Sequence, residues 1–199
     1  MLLNSLSEKI AGFLFADSKD YPLEVYIYGI KLLVSSIIGM CVISVLGLFT
    51  GYFPQAMIYI VALSLIKSFA GGYHANTYLK CNTIFVISFL FSIFMYRLLI
   101  KASAMGIFIT SGLVFGVTLL TVILFSPVEH PNKKIEPSDR KKYKIVSIIM
   151  LCAEIAVSIC FYTIFHIYEF LVILPMLIVV DIAILADVIG KGAFHNENG

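Results

Sequence analysis

The chain has 199 residues, of which 60% are hydrophobic and 13% charged, with a net charge of +2 and a mean hydropathy of +1.00. Ordinary soluble domains carry about 25% charged residues, and the single core of a chain this long has no room for so many apolar side chains. Composition therefore excludes a water-soluble globule and leaves lipid as the solvent.

Residues 1–16 follow a helical rhythm. Leu2, Leu3, Leu6, Ile10, Phe13 and Leu14 share one face, and Asn4, Ser5, Ser7, Glu8 and Lys9 tend to the other. Such a helix is expected to lie in the membrane interface, the alternative being a helix packed on the rest of the protein. The first residues lack a basic stretch followed by an unbroken apolar one, which argues against a cleaved signal peptide.

Six apolar runs follow, near residues 25–49, 54–72, 82–100, 103–126, 144–166 and 169–190. A hydrocarbon core about 30 Å thick needs roughly 20 helical residues, and each run supplies about that many. Pro54 opens the second span, where a missing N–H is tolerated, and Pro175 is expected to interrupt or kink the sixth. Trp is absent, so tyrosines such as Tyr26, Tyr52, Tyr78, Tyr143 and Tyr168, at the span ends, supply any aromatic belt. The fold class is all-α: a polytopic membrane helix bundle forming a single domain. Residues 1–20 hold the amphipathic helix, 25–190 the six spans and 191–199 a polar tail.

Orientation follows from the basic residues. The connection between the fourth and fifth spans holds Lys133, Lys134, Arg140, Lys141, Lys142 and Lys144. With that connection cytosolic, Lys9, Lys19, Lys80 and Lys191 are cytosolic too, and Arg97 and Lys101 are left outside. Both ends and the connection between the second and third spans then face the cytosol.

Of the four cysteines, Cys41, Cys152 and Cys160 lie in apolar runs, where a thiol behaves as a small hydrophobe. Cys81 alone has polar neighbours, seven residues after His74. No CxxC or Cys/His metal spacing is present, so neither a disulfide framework nor a metal ion is expected. On an unbroken helix His74 and Cys81 would share a face about 10.5 Å apart, so contact needs a bend, which Gly71-Gly72 permits. An imidazole beside a thiol favours the nucleophilic thiolate and returns the proton to a departing amine. A loop histidine and a cysteine are also commonly incidental, and the pair alone is a weak signal.

The stretch Ala70-Gly71-Gly72-Tyr73-His74-Ala75, followed by Cys81, closely resembles the accessory gene regulator B (AgrB) family of bacterial membrane proteins. Pro127-Val128-Glu129-His130-Pro131-Asn132-Lys133 is similar to that family's loop after the fourth span. The resemblance covers nearly the whole chain in length, span count and loop order. It implies a cysteine endopeptidase of the bacterial cytoplasmic membrane that processes a small precursor peptide into a cyclic quorum-sensing signal. Cys81 would be the nucleophile and His74 the general base and acid. Attack would release the C-terminal fragment, leaving the N-terminal part as a thioester that an internal thiol or hydroxyl closes to a thiolactone or lactone. No cofactor and no nucleic acid is implied; the partners are the precursor, membrane lipid and a second copy in a homodimer. Lys67 stands where relatives often have Arg, and Lys134 where Pro is common; Lys is a point charge rather than a bidentate fork. Lys67, Asn132, Lys133 and Lys134 are candidate substrate-binding residues, and topology alone also accounts for the loop lysines.

Asn76 could donate to an oxyanion or cap a helix, for which Asn is well suited. Glu154 and Asp181 lie in apolar runs, either as functional groups or as partners of Lys67 and other polar groups that hold the bundle together. His130, His166 and His195 read as incidental. The competing readings are a small transporter or channel with Lys67, Glu154 and Asp181 along a polar path, and a non-catalytic scaffold. No internal repeat supports the first of these.

Overall fold

The computed structural model describes residues 2–15, 23–72, 77–128 and 136–196, and every regular element among them is helical. In chain order these are α1 (Leu2–Phe15), α2 (Leu23–Thr50), α3 (Phe53–Ala70), α4 (Tyr78–Leu99), α5 (Ala104–Phe125) and α6 (Pro137–Thr163). A 3-10 segment, Tyr168–Val172, then leads into α7 (Ile173–Asn196). Six of the described segments, α2 to α6 and Tyr168–Gly190, are long and apolar enough to cross a membrane. Their order and number are those expected from hydropathy.

The helix starts differ from expectation in three places, each for a local reason. Thr77 caps α4, its hydroxyl accepting the Lys80 N–H at 3.3 Å, so the helix begins at Tyr78 and not near residue 82. Pro137 occupies the first turn of α6 and carries the helix outward from residue 144 through Arg140, Lys141 and Lys142. Pro175 does not interrupt the last span. The chain becomes α-helical at Ile173, so Pro175 falls in the first turn, where no intrahelical N–H is required.

Packing within lipid relies on close backbone approach rather than on expulsion of water. The buried residues of α2 recur every fourth position: Ser35, Gly39, Ile43 and Gly47. A methyl group on Gly47 would lie 2.7 Å from Ala56 Cβ and 3.2 Å from Phe53 Cα; one on Gly39 would lie 3.0 Å from Asn82 Oδ1. These two glycines seat α2 against α3 and α4. Tyr59 of α3 fills the centre, its ring 5.9 Å from Phe85 and 5.4 Å from Phe89. The last span is the most enclosed, packed on α3, α4 and α5, with half of its membrane window buried. Outward faces such as Leu33, Phe49, Leu113 and Leu124 are exposed and apolar, as lipid contact demands.

Helix α1 packs along α2 with Ser7 and Ala11 buried, while Phe13 and Leu14 point outward, Phe13 at 88% exposure. Of the two expectations for this segment, the structure shows the packing on the rest of the protein, with an apolar edge left exposed.

The glycine contacts predict a contrast. Gly47→Leu should destabilise the chain by about 1–3 kcal/mol through overpacking. Gly112→Leu, where an added Cβ meets nothing within 4 Å, should change stability by no more than about 0.5 kcal/mol. Melting of the purified protein followed by size exclusion distinguishes the two; equal losses would contradict this packing.

Candidate active site at the turn between α3 and α4

Cys81 lies in the first turn of α4, not in a loop. Its N–H donates to the Thr77 carbonyl at 3.0 Å, and its side chain is half-buried. A helix N-terminus carries partial positive charge, which favours an anion such as a thiolate at that point. Because Thr77 is extended and α4 starts at Tyr78, His74 and Cys81 are not joined by one unbroken helix. His74 and Asn76 themselves lie outside the described residues, as do Asn132, Lys133, Lys134 and His130. The cap of α4 is Thr77 rather than Asn76.

Lys67 sits in the last turn of α3 and is half-buried. Lys67 and Cys81 both line a partly open cavity of about 350 Å³ between α2, α3, α4 and α7. Ser64, Asn82 and Ser88 add polar groups to walls that are otherwise mainly apolar. These three were not singled out by sequence. Ser64 is one turn from Lys67, and Asn82 adjoins Cys81, but only the fold shows that they share a cavity.

Two backbone features hold this end of α3. Gly71 has φ 77° and ψ −154°, a region open essentially to glycine alone, and Gly72 has φ 136°. The bend foreseen at this pair is present. A methyl on Gly71 would also lie 2.5 Å from the Val128 carbonyl oxygen. That approach exists because the Val128 N–H donates to the Ala70 carbonyl at 3.0 Å, which the Ser126 hydroxyl also meets at 3.3 Å. Gly72 runs between Lys67 and α7, where an added methyl would be 3.7 Å from Lys67 Cε and 3.5 Å from Ala183 Cβ.

The acidic residues are elsewhere. Asp181 Oδ2 accepts from the Thr118 hydroxyl at 2.8 Å and ties α7 to α5. Glu154 is buried, and neither of its carboxyl oxygens has a hydrogen-bond partner among the described residues. Neither acid lines the cavity, and neither forms an ion pair with Lys67 among the described residues.

A model of the family described as Accessory gene regulator B matches residues 7–185. The chain belongs to this family. It is also 25% identical over 139 residues to a "Putative AgrB-like protein" of Clostridium perfringens (strain SM101 / Type A). That match takes in 69% of this chain and 64% of the relative, so the chain spans less than two thirds of the relative's length. No solved structure matches. In this accessory gene regulator B family member, the two segments that carried the resemblance meet in space, through Gly71 and Val128.

Replacing Gly71 tests that junction. Gly71→Ala combines an unfavourable φ with a blocked contact and should cost on the order of 1–3 kcal/mol. Hydrogen exchange should show the Val128 amide losing protection, while Gly29→Ala, facing open space, leaves it unchanged. Protection at Val128 that survives Gly71→Ala would refute the junction.

Proposed function

We propose that this chain is a cysteine endopeptidase of the bacterial cytoplasmic membrane that cleaves a small precursor peptide and assists its cyclisation to a thiolactone or lactone signal. The observation that carries the reading is Cys81 at the positive end of α4, sharing a cavity with the Lys67 ammonium. Family membership supports a role in accessory gene regulator peptide processing.

His74, seven residues before Cys81, takes the thiol proton. The sulfur adds to the peptide carbonyl, and Lys67, from the same cavity, balances the thiolate and then the oxyanion. Collapse breaks the C–N bond, and His74 returns its proton to the departing amine. The N-terminal part remains as a thioester on Cys81. A thiol or hydroxyl within that part attacks the thioester, its proton passes through His74, and the Cys81 thiol is restored. Every bond change is an acyl or proton transfer, with no net oxidation.

In the proposed orientation Cys81 faces the cytosol, as the basic residues at alternate connections favour. Asn132, Lys133 and Lys134, with the exposed Lys141 and Lys142 on the first turns of α6, recruit an acidic part of the precursor. A homodimer remains part of the proposal through the family. A transport path through Lys67, Glu154 and Asp181 is not favoured, since only Lys67 lines the cavity.

Cys81→Ser should reduce precursor cleavage to background, because a hydroxyl scarcely ionises at neutral pH; His74→Ala should lower it by roughly 10²-fold or more. Changing Cys41, Cys152 and Cys160 together to Ala should leave most activity, and in that protein an impermeant maleimide should reach Cys81 only in inverted vesicles. Mass spectrometry of protein in vesicles should find a hydroxylamine-sensitive acyl group on Cys81. Undiminished cleavage by Cys81→Ser would overturn the mechanism.

Recruitment is separable. Replacing Lys133, Lys134, Lys141 and Lys142 with Gln should weaken precursor binding in a salt-dependent way, each exposed contact being worth about 0.2–1 kcal/mol. Unchanged affinity in a correctly inserted protein would reduce these lysines to topology signals.

A further inference from the structure

The cavity at Cys81 is deeper than the chemistry at the sulfur requires. Along α4 its lining runs from Cys81 to Ser88, a rise of about 10 Å towards the middle of the membrane. Lys67 and Cys81 stand at the shallow end. Leu63, Phe85 and Val180 wall the deeper part, and Ala183 on α7 leaves room by being small. Its volume of about 350 Å³ is within the usual range for small-ligand pockets. At about 30 Å³ for each water-sized group, it holds roughly a dozen non-hydrogen atoms. One leucine-sized residue with the backbone of its neighbour is of that size.

We propose that this cavity is a specificity pocket for the acyl side of the cleaved bond: it takes the apolar side chain of the residue whose carbonyl Cys81 attacks, together with the backbone of the residue before it. The inference rests on Cys81 being the nucleophile.

The departing fragment cannot be the occupant, because it leaves with a new amine that becomes an ammonium ion, which an apolar pocket at hydrocarbon depth would strongly disfavour. The acyl side carries no new charge and stays bonded to the sulfur, so it is the part that profits from mainly apolar walls. A lipid tail would fit the apolar walls but offers nothing to the Ser64 hydroxyl and the Asn82 amide, which also line the cavity. Peptide N–H and C=O groups at that depth need such partners. The combination of apolar walls with scattered hydroxyl and amide groups therefore fits a short apolar peptide. It predicts a substrate with a bulky aliphatic or aromatic residue at the cleavage carbonyl and a poor one with Gly or Asp there.

Peptide aldehydes test this without a known precursor, since a thiolate adds reversibly to the aldehyde carbon and the residue bearing it takes the acyl position. The probes are N-acetyl-glycyl-leucinal and N-acetyl-glycyl-glycinal, used on the full chain with Cys41, Cys152 and Cys160 changed to Ala, in vesicles. The readout is protection of Cys81 from N-ethylmaleimide. Burial of the leucyl side chain should let leucinal protect at a concentration about tenfold or more below that of glycinal. Ala183→Leu fills the pocket and should erase the preference, with size exclusion reporting an intact fold. Phe85→Ala enlarges it and should shift the preference towards naphthylalaninal. Equal protection by the first two aldehydes, or a leucinal preference that neither variant alters, would overturn the pocket. A preference seen in detergent but absent in vesicles would assign the cavity to a lipid tail and overturn it as well. Failure of the peptidase reading shows separately, as precursor cleavage that persists in Cys81→Ser.

Discussion

A helix that ends at membrane depth leaves carbonyls without partners, and lipid supplies none. At the end of α3 the Ala70 carbonyl is met by two donors from the segment that follows α5, the Val128 N–H and the Ser126 hydroxyl. That pairing is available only because Gly71 has no side chain. Ser126 also lies 3.4 Å from the Ser147 hydroxyl of α6, and Lys144 of α6 donates to the Ile123 carbonyl near the end of α5 at 2.8 Å. The ends of α3 and α5 and the early turns of α6 are therefore joined to one another. The chain leaving α3 from that junction is what returns as α4, with Cys81 in its first turn.

Hydropathy made the spans legible because lipid exposure is a property of whole runs of side chains. Helix starts were less legible because caps are properties of single residues. Tyr78-Leu79-Lys80 lengthens no apolar run, so α4 was placed too late, although Thr77 standing three residues before the Lys80 N–H is a capping arrangement that sequence displays. The same applies to α6. Pro137 and Asp139 mark a helix start, yet the charged stretch through Lys144 hides it from any measure of apolarity. Pro175 misled in the opposite direction, since its effect depends on whether it falls inside a helix or in the first turn, and a preceding 3-10 segment is not visible in hydropathy.

The candidate site divides along the same line. Gly71-Gly72 and Cys81 were conspicuous because they break an apolar pattern. The cavity was not conspicuous, because its walls come from four helices whose relevant residues look ordinary one at a time. Ala183 is an unremarked small residue in an apolar span until Gly72 and Lys67 are seen beside it. Lys67 gains its meaning in the same way. Sequence offers it as a candidate substrate-binding residue, and the fold adds that it lines the same cavity as Cys81.

On the proposed mechanism, the first step converts an amide into a thioester and is uphill, while the second is nearly neutral when it forms a thiolactone and downhill when it forms a lactone. The outcome then depends on what reaches the thioester first. Water diverts the acyl group to a linear acid, and an internal nucleophile held close gives the ring, with effective molarities of about 10⁵ M or more in favourable geometries. A site half in lipid biases both steps. The charged fragment escapes to the aqueous side, which draws the uphill step forward. The acyl part stays against apolar walls, where water is scarce and the few hydroxyl and amide groups hold its backbone. A fully solvated cysteine at the same turn would have the nucleophile but not the means to keep hydrolysis from winning.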